Sequence, residues 1–220
     1  MMGWPMRPEL IIFDCDGVLI DSEFVASRVV AANLSRNGWE MDAAAAMRLF
    51  MGMSIVEMEP LIEGRLRRHL PEGWRAGLVA ELASALAAEA EEIPGARAML
   101  ERVSGMGIAW RVASNSSDEE MAIKFGRTGM AGLVAGKCFA AMRVGRAKPA
   151  PDVFLAAASS AGVAPADCVV LEDSALGVEG AVSAGMVCYG LDRHGDGRHL
   201  VEAGAEMVFP ELAAFVEVLG

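Results

Sequence analysis

Basic charge is scarce in this 220-residue chain: 19 lysines and arginines face 30 acidic residues, for a formal net charge of −11. Such a chain repels nucleic acid and anionic membrane unless it concentrates cations locally. The one dense basic cluster, residues 65–70 (RLRRHL), reads as the solvated face of a helix. Cysteine is also sparse. Cys15, Cys138, Cys168 and Cys188 show no CxxC spacing, which speaks against a zinc knuckle or a disulfide framework. Three of them lie in or beside apolar runs and read as reduced core residues. No apolar stretch reaches membrane-spanning length, and Asp14 interrupts the short one near the N-terminus. The expectation is a cytoplasmic protein with no export signal and no membrane anchor.

Hydrophobic residues make up 54% of the chain, enough for one large domain or for a core with a smaller appendage. Short runs that are apolar throughout recur at 10–13 (LIIF), 109–113 (AWRVA), 168–171 (CVVL) and 186–191 (MVCYGL), with a weaker one at 206–209 (EMVF). Runs without alternation fit strands covered on both faces. Helical patterns fall between them, at 96–104, 118–127, 152–161, 177–184 and 212–219. Strand and helix in alternation predict an α/β fold built on a doubly wound, Rossmann-like parallel sheet.

One region breaks the alternation. Residues 22–92 show helix signals only, at 23–36 with Ser22 as a cap, then 42–50, 55–69 and 75–92. The expected organisation is a core of residues 1–21 and 93–220 with an all-helical cap of residues 22–92 inserted into it.

The chemistry-bearing residues cluster where that fold places strand ends. Asp14 and Asp16 follow the first strand, Ser114 and Asn115 the second; Glu172 and Asp173 follow CVVL, and Lys148 lies in the loop GRAKPAPD. Open parallel sheets bind ligands outside the carboxyl ends of their strands. Four carboxylates crowded together repel strongly: two like charges about 4 Å apart cost on the order of 4 kcal/mol at an effective dielectric of 20. A divalent cation removes that cost, and an all-oxygen donor set argues for Mg²⁺ over Zn²⁺. The stretch SNSSDEE resembles a helix start, with Ser117 as cap and Glu120 three residues on, so Ser114 and Asn115 could face an anion there. Lysine occurs three times against sixteen arginines, and Lys148 before a proline reads as a compact charge aimed at phosphate. Lys124 and Lys137 read as ordinary surface lysines.

DCDGVLIDSE, VASNSS, AKPAPDVF and VVLEDSALGVEGAVSAGM resemble, in order and spacing, the four motifs of the haloacid dehalogenase superfamily. The likeness is closest to its sugar-phosphate phosphatases and β-phosphoglucomutase-like members, and it covers nearly the whole chain. The resemblance implies a Mg²⁺-dependent phosphomonoester hydrolase acting on a small phosphorylated metabolite such as a sugar phosphate. It implies Asp14 as nucleophile, forming an aspartyl-phosphate, and Asp16 as general acid and base. It further implies a metal held by Asp14, the Asp16 main-chain carbonyl and Asp173, with Glu172 in support. Ser114, Asn115 and Lys148 would bind the phosphoryl group, and a cap would close over the site.

Departures from the family's patterns narrow the choice. Asp16 and Asp173 speak against metal-free dehalogenation, and the insert lacks the lysine that phosphonate-cleaving relatives use. Where β-phosphoglucomutases carry a histidine after the first motif, this chain reads FVAS. Where they place cations around a cap Gly-x-Ser, it reads MGMSI. A phosphatase is therefore favoured over a mutase. A non-catalytic phosphate-sensing module on the same fold is the alternative of a different class. Arg28, Arg48 and Glu57 could line a substrate pocket but read first as solvated helix residues. Met51 and Met53 read as packing, and His194 and His199 as polar surface. A monomer is the default for this architecture.

Overall fold

The computed structural model describes residues 8–50 and 53–219; Met51 lies outside them. Strand β1 (Leu10–Phe13) is followed by the two-residue β2 (Ile20–Asp21) and four helices: α1 (Glu23–Arg36), α2 (Ala43–Phe50), α3 (Ile55–Leu66) and α4 (Trp74–Glu89). The short β3 (Glu91–Glu92) closes this insert. Next come α5 (Ala96–Gly105), β4 (Ala109–Ser114), α6 (Asp118–Arg127), α7 (Ala131–Val134), β5 (Cys138–Ala140), α8 (Ala141–Val144) and α9 (Asp152–Ala161). The chain ends β6 (Cys168–Glu172), α10 (Ala175–Ser183), β7 (Val187–Leu191), α11 (Arg198–Ala203), β8 (Met207–Phe209) and α12 (Leu212–Leu219). Among the described residues no helix is long and apolar enough to cross a membrane.

Six strands form one parallel sheet in the order β5-β4-β1-β6-β7-β8. The first strand is therefore central, with β4 on one side and β6 on the other. Its side chains alternate between two cores. Ile11 and Phe13 enter the core that contains Leu100, Phe125 and Phe215; Leu10 and Ile12 enter the one that contains Phe154, Val178 and Leu200. All four residues are fully buried, which is why LIIF shows no polar alternation. Each such side chain is worth roughly 1.5–3 kcal/mol of burial. Phe13 also makes edge-on contacts with Trp110 and Phe215, at centroid distances of 6.3 and 6.2 Å.

The insert has a core of its own, built from Val30, Leu34, Phe50, Ile62, Leu78 and Leu82. Trp74 packs there too, and its indole N–H donates to Asn33 Oδ1 at 2.7 Å. α3 begins in a full capping box, with Ser54 and Glu57 satisfying each other's backbone N–H groups. The insert joins the sheet domain through an antiparallel ribbon that pairs Ile20 with Glu92 and Asp21 with Glu91. That ribbon corrects the all-helical reading of residues 22–92, because two adjacent glutamates carry no strand signal. α3 also stops at Leu66, three residues short of the expected end; Arg67 takes a left-handed conformation there and the basic cluster runs on in exposed loop.

Candidate active site

The register of the sheet assembles the site. Phe13 lies level with Val112 on one side and Leu171 on the other, so Asp14 emerges beside Ala113 and Glu172. Lys148 reaches in beneath them with its side chain buried. Its ammonium donates to Asp14 Oδ1 at 2.5 Å, Glu172 Oε1 at 2.6 Å and the Ala113 carbonyl at 2.8 Å, which uses all three of its N–H groups. Asn115 Oδ1 accepts the Lys148 backbone N–H at 2.9 Å and so fixes the loop that carries the lysine. Burial, and after it the charge of Glu172, pushes the Asp14 carboxyl up to about 8 against the pull of Lys148.

Glu172 is saturated by the protein. Oε1 receives Lys148, while Oε2 receives the backbone N–H groups of Asp173 and Ser174 and the Ser174 hydroxyl. The same Ser174 caps α10 by accepting the Gly177 N–H. A side chain at Gly177 would overlap the Glu172 carboxylate, so the glycine makes room for it. Asp173 differs, since among the described residues nothing donates a hydrogen bond to its carboxylate. Burial, then the charges of Glu23, Asp14 and Glu172, holds its carboxyl well above the usual range.

Oxygens of Asp14, Glu172 and Asp173 lie within 4.8 Å of one another. These are hard oxygen donors without histidine or thiolate, and the Asp173 carboxylate has no protein partner to leave. Gly17, in the left-handed region at φ +76°, packs so tightly on that carboxylate that any Cβ would overlap it. The donor chemistry and the space fit a hard divalent cation.

Asp16 sits in a separate polar cradle. Its carboxylate accepts hydrogen bonds from the Ser22 hydroxyl, from Ser116 Oγ at 2.8 Å and from Lys124 Nζ at 2.6 Å, with Ser114 Oγ at 3.4 Å. Burial pushes this carboxyl upward, but Lys124 and the hydroxyl donors outweigh it and hold it below its usual value. Two sequence expectations are corrected here and one residue is added. Lys124 is a buried member of the site, not a surface lysine. Ser22 makes no helix-capping hydrogen bond and turns its hydroxyl to Asp16 instead. Ser116, unassigned from sequence, bridges Lys124 and Asp16. Position could have exposed Lys124: Met121, Lys124 and Phe125 form the buried stripe of α6 at helical spacing.

Asp14, Asp16, Ser114, Asn115, Lys148 and Asp173 all face one cavity of about 540 Å³ between the sheet and the insert. Ser117 caps α6 at its edge, in the capping box that its sequence suggested. Arg28 faces away, in an ion pair with Glu89 at 2.6 Å; Arg48 is exposed outside the lining, and Glu57 serves the α3 cap. Met53, expected to pack, lines the cavity half-exposed. All four cysteines are free; Cys15, Cys168 and Cys188 are buried, as expected of core thiols.

The family model for haloacid dehalogenase-like hydrolases matches residues 8–185. The chain is 33% identical over 214 residues to a phosphorylated carbohydrates phosphatase of Thermotoga maritima, covering 92% of this chain and 95% of that one. It is 32% identical over 187 residues to hexitol phosphatase A of Escherichia coli, covering 82% and 81%. A solved haloacid dehalogenase-like protein from Agrobacterium tumefaciens superposes with a TM-score of 0.83 at 30% identity, covering 96% of this chain and 98% of that one.

Proposed function

The chain belongs to the haloacid dehalogenase-like hydrolases, and on that premise we propose that it is a Mg²⁺-dependent phosphomonoesterase working through an aspartyl-phosphate on Asp14. Its substrate would be a small phosphorylated metabolite of the sugar-phosphate kind, the class named for the two curated relatives. The observation that carries this reading is the placement of Asp14. One carboxylate oxygen is bound to Lys148, the side chain shares a cluster with Asp173, and both face the cavity beneath the insert.

In the first step an Asp14 oxygen attacks phosphorus, and the ester P–O bond breaks as the Asp14 O–P bond forms. For this step Asp16 must enter protonated, against the pull of Lys124, and it gives that proton to the departing oxygen. In the second step Asp16 takes a proton from water, whose oxygen attacks phosphorus and frees Asp14 with release of phosphate. Lys124 favours the ionised form of Asp16, which is the form the second step needs. A phosphoryl group arriving at Asp14 comes within reach of Lys148 and of the Ser114 and Asn115 loop at the start of α6. Asp14, Asp173 and the Asp16 main-chain carbonyl would hold Mg²⁺, with Glu172 bracing the set. Bound there, the ion supplies positive charge that offsets repulsion between an anionic phosphate and an anionic nucleophile. The insert, residues 22–92, acts as the cap domain over the core of residues 1–21 and 93–220.

A mutase must grip a second phosphate, and no cap lysine or arginine lines the cavity among the described residues. That observation favours hydrolysis. Turnover of p-nitrophenyl phosphate with Mg²⁺, absent after chelation, distinguishes an enzyme from a phosphate-sensing module. Rapid-quench labelling should trap phospho-enzyme in wild type and Asp16→Asn and none in Asp14→Asn. Label in Asp14→Asn would refute the assignment.

A further inference from the structure

The cavity is chemically divided. Its floor carries the carboxylates, Ser114, Asn115, Ser116 and the two lysines; its roof, supplied by the insert, is mostly apolar. Val30, Phe50, Met58, Leu82 and Leu86 form that roof, with Ile55 beside them. At the rim Val79 from α4 is 43% exposed and Met142 from α8, on the sheet side, is 66% exposed, while Ser117, Glu119 and Glu120 at the start of α6 supply its polar part.

The roof's polar side chains are Ser22, Glu23, Ser27 and Ser54, and the Ser22 hydroxyl is turned to Asp16. The Ser54 hydroxyl accepts the Glu57 N–H and donates to the Glu57 carboxylate at 2.7 Å. Glu23 lies beside the acidic cluster, where burial, and after it the charge of Asp16, pushes its carboxyl up to about 7. Ser27 alone, among the described residues of the roof, is a neutral polar side chain without such a commitment. The insert's arginines point elsewhere: Arg28 to Glu89, Arg36 to Glu81 and Arg75 to Glu59. A polyhydroxylated chain entering against the apolar part of the roof gives up its hydrogen bonds to water and regains few of them. A second anionic group finds no cation.

Resting on the phosphatase reading and narrowing its sugar-phosphate substrate class, we infer that the roof favours phosphomonoesters whose end remote from the phosphate is apolar, such as a sugar phosphate that bears a ring or a deoxygenated tail. An aromatic ring or a deoxygenated alkyl portion fits; a bare polyol or a sugar acid does not. A volume near 540 Å³ suits a ring-sized group of this kind. An apolar pocket rejects one added isosteric hydroxyl by about 10²-fold at most, so a substrate with several unpaired hydroxyls should fall behind by at least 10-fold.

The test compares kcat/KM for 3-phenylpropyl phosphate and sorbitol 6-phosphate, both esters of primary alcohols, so leaving-group chemistry is nearly matched. The expected result is a preference of 10-fold or more for the phenyl compound. Val79→Asn and Met142→Asn, both at exposed positions where folding tolerates change, should each shrink that preference several-fold through KM, with melting unchanged. Equal or better turnover of sorbitol 6-phosphate overturns the inference and leaves the phosphatase reading standing. Failure to hydrolyse any ester, p-nitrophenyl phosphate included, overturns the phosphatase reading. In that event calorimetry with 3-phenylpropylphosphonate and inorganic phosphate in Mg²⁺ still decides the pocket. Tighter binding of the phenyl compound with a negative heat-capacity change supports the inference, and equal binding overturns it.

Discussion

Replacing Lys124 by methionine separates charge from packing at a position of known geometry. The Lys124 side chain is 5% exposed and its ammonium lies 2.6 Å from Asp16 Oδ1. Removing one member of a buried pair typically costs 3–5 kcal/mol, because the partner charge is left uncompensated. Asp16 keeps its donors from Ser22 and Ser116, so the lower end applies, about 3 kcal/mol at pH 7.5. For a chain of this size that corresponds to roughly 6–12 °C in melting temperature. The pH dependence is the sharper test. In the wild type the Asp16 carboxyl lies below its ordinary 3.8, so its contribution is present above that pH and is lost only under stronger acid. In Lys124→Met, burial acts without the opposing cation and the carboxyl moves up, so protonation relieves the variant as pH falls. The stability gap should therefore narrow between pH 7.5 and 5. Urea denaturation followed by circular dichroism, in chelator to exclude metal effects, measures both curves. A gap that stays constant across this range would show that Lys124 acts by filling space.

Lys148→Met should destabilise the metal-free protein by about 3–5 kcal/mol, since it leaves Asp14 and Glu172 without their shared cation. Added Mg²⁺ should then raise its melting temperature more than it raises that of the wild type; an identical response in scanning fluorimetry would contradict the site described here. Gly17→Ala places a methyl group onto the Asp173 carboxylate at a positive φ. It should lower the apparent affinity for Mg²⁺ by 10-fold or more in activity titrations, and unaltered affinity would count against Asp173 as a ligand. Trp74→Phe removes the 2.7 Å indole hydrogen bond to Asn33 Oδ1 and leaves that buried acceptor with only the longer, 3.2 Å bond from Asn37 Nδ2. A loss of about 1–2 kcal/mol is expected, read by urea denaturation, and no measurable change would refute it.

How much of this was legible in the sequence depended on whether a residue's burial followed from its neighbours. β1 and β6 were readable because residues buried on both faces must be apolar throughout. α6, α9 and α12 agree with their helical periodicity to the residue. β5 was not readable: three residues at the sheet edge, half-buried and running directly into α8, give no period to detect. The site divides in the same way. Asp14, Lys148 and Asp173 stand at strand ends or in the loops beside them, where sequence position implies spatial position. Ser22, Ser116 and Lys124 reach Asp16 from a helix entry, a loop and a helix face, and only the folded chain brings them together.

The central place of β1 has a consequence for the order in which the molecule assembles. β1 precedes both of its partners in the chain, and Leu10 pairs with Ala109 and Cys168, so it has neither neighbour until the whole insert has followed it. The insert's core, by contrast, draws only on residues between Val30 and Leu82. Loop closure over short separations is fast and over long ones slow. On a ribosome the insert can therefore complete its core while LIIF is still waiting for β4 and β6. The apolar run that leads into Asp14 is thus exposed to aggregation during synthesis. Asp14 and Asp16, placed immediately after it, give that run a charged border at the stage when it is most vulnerable.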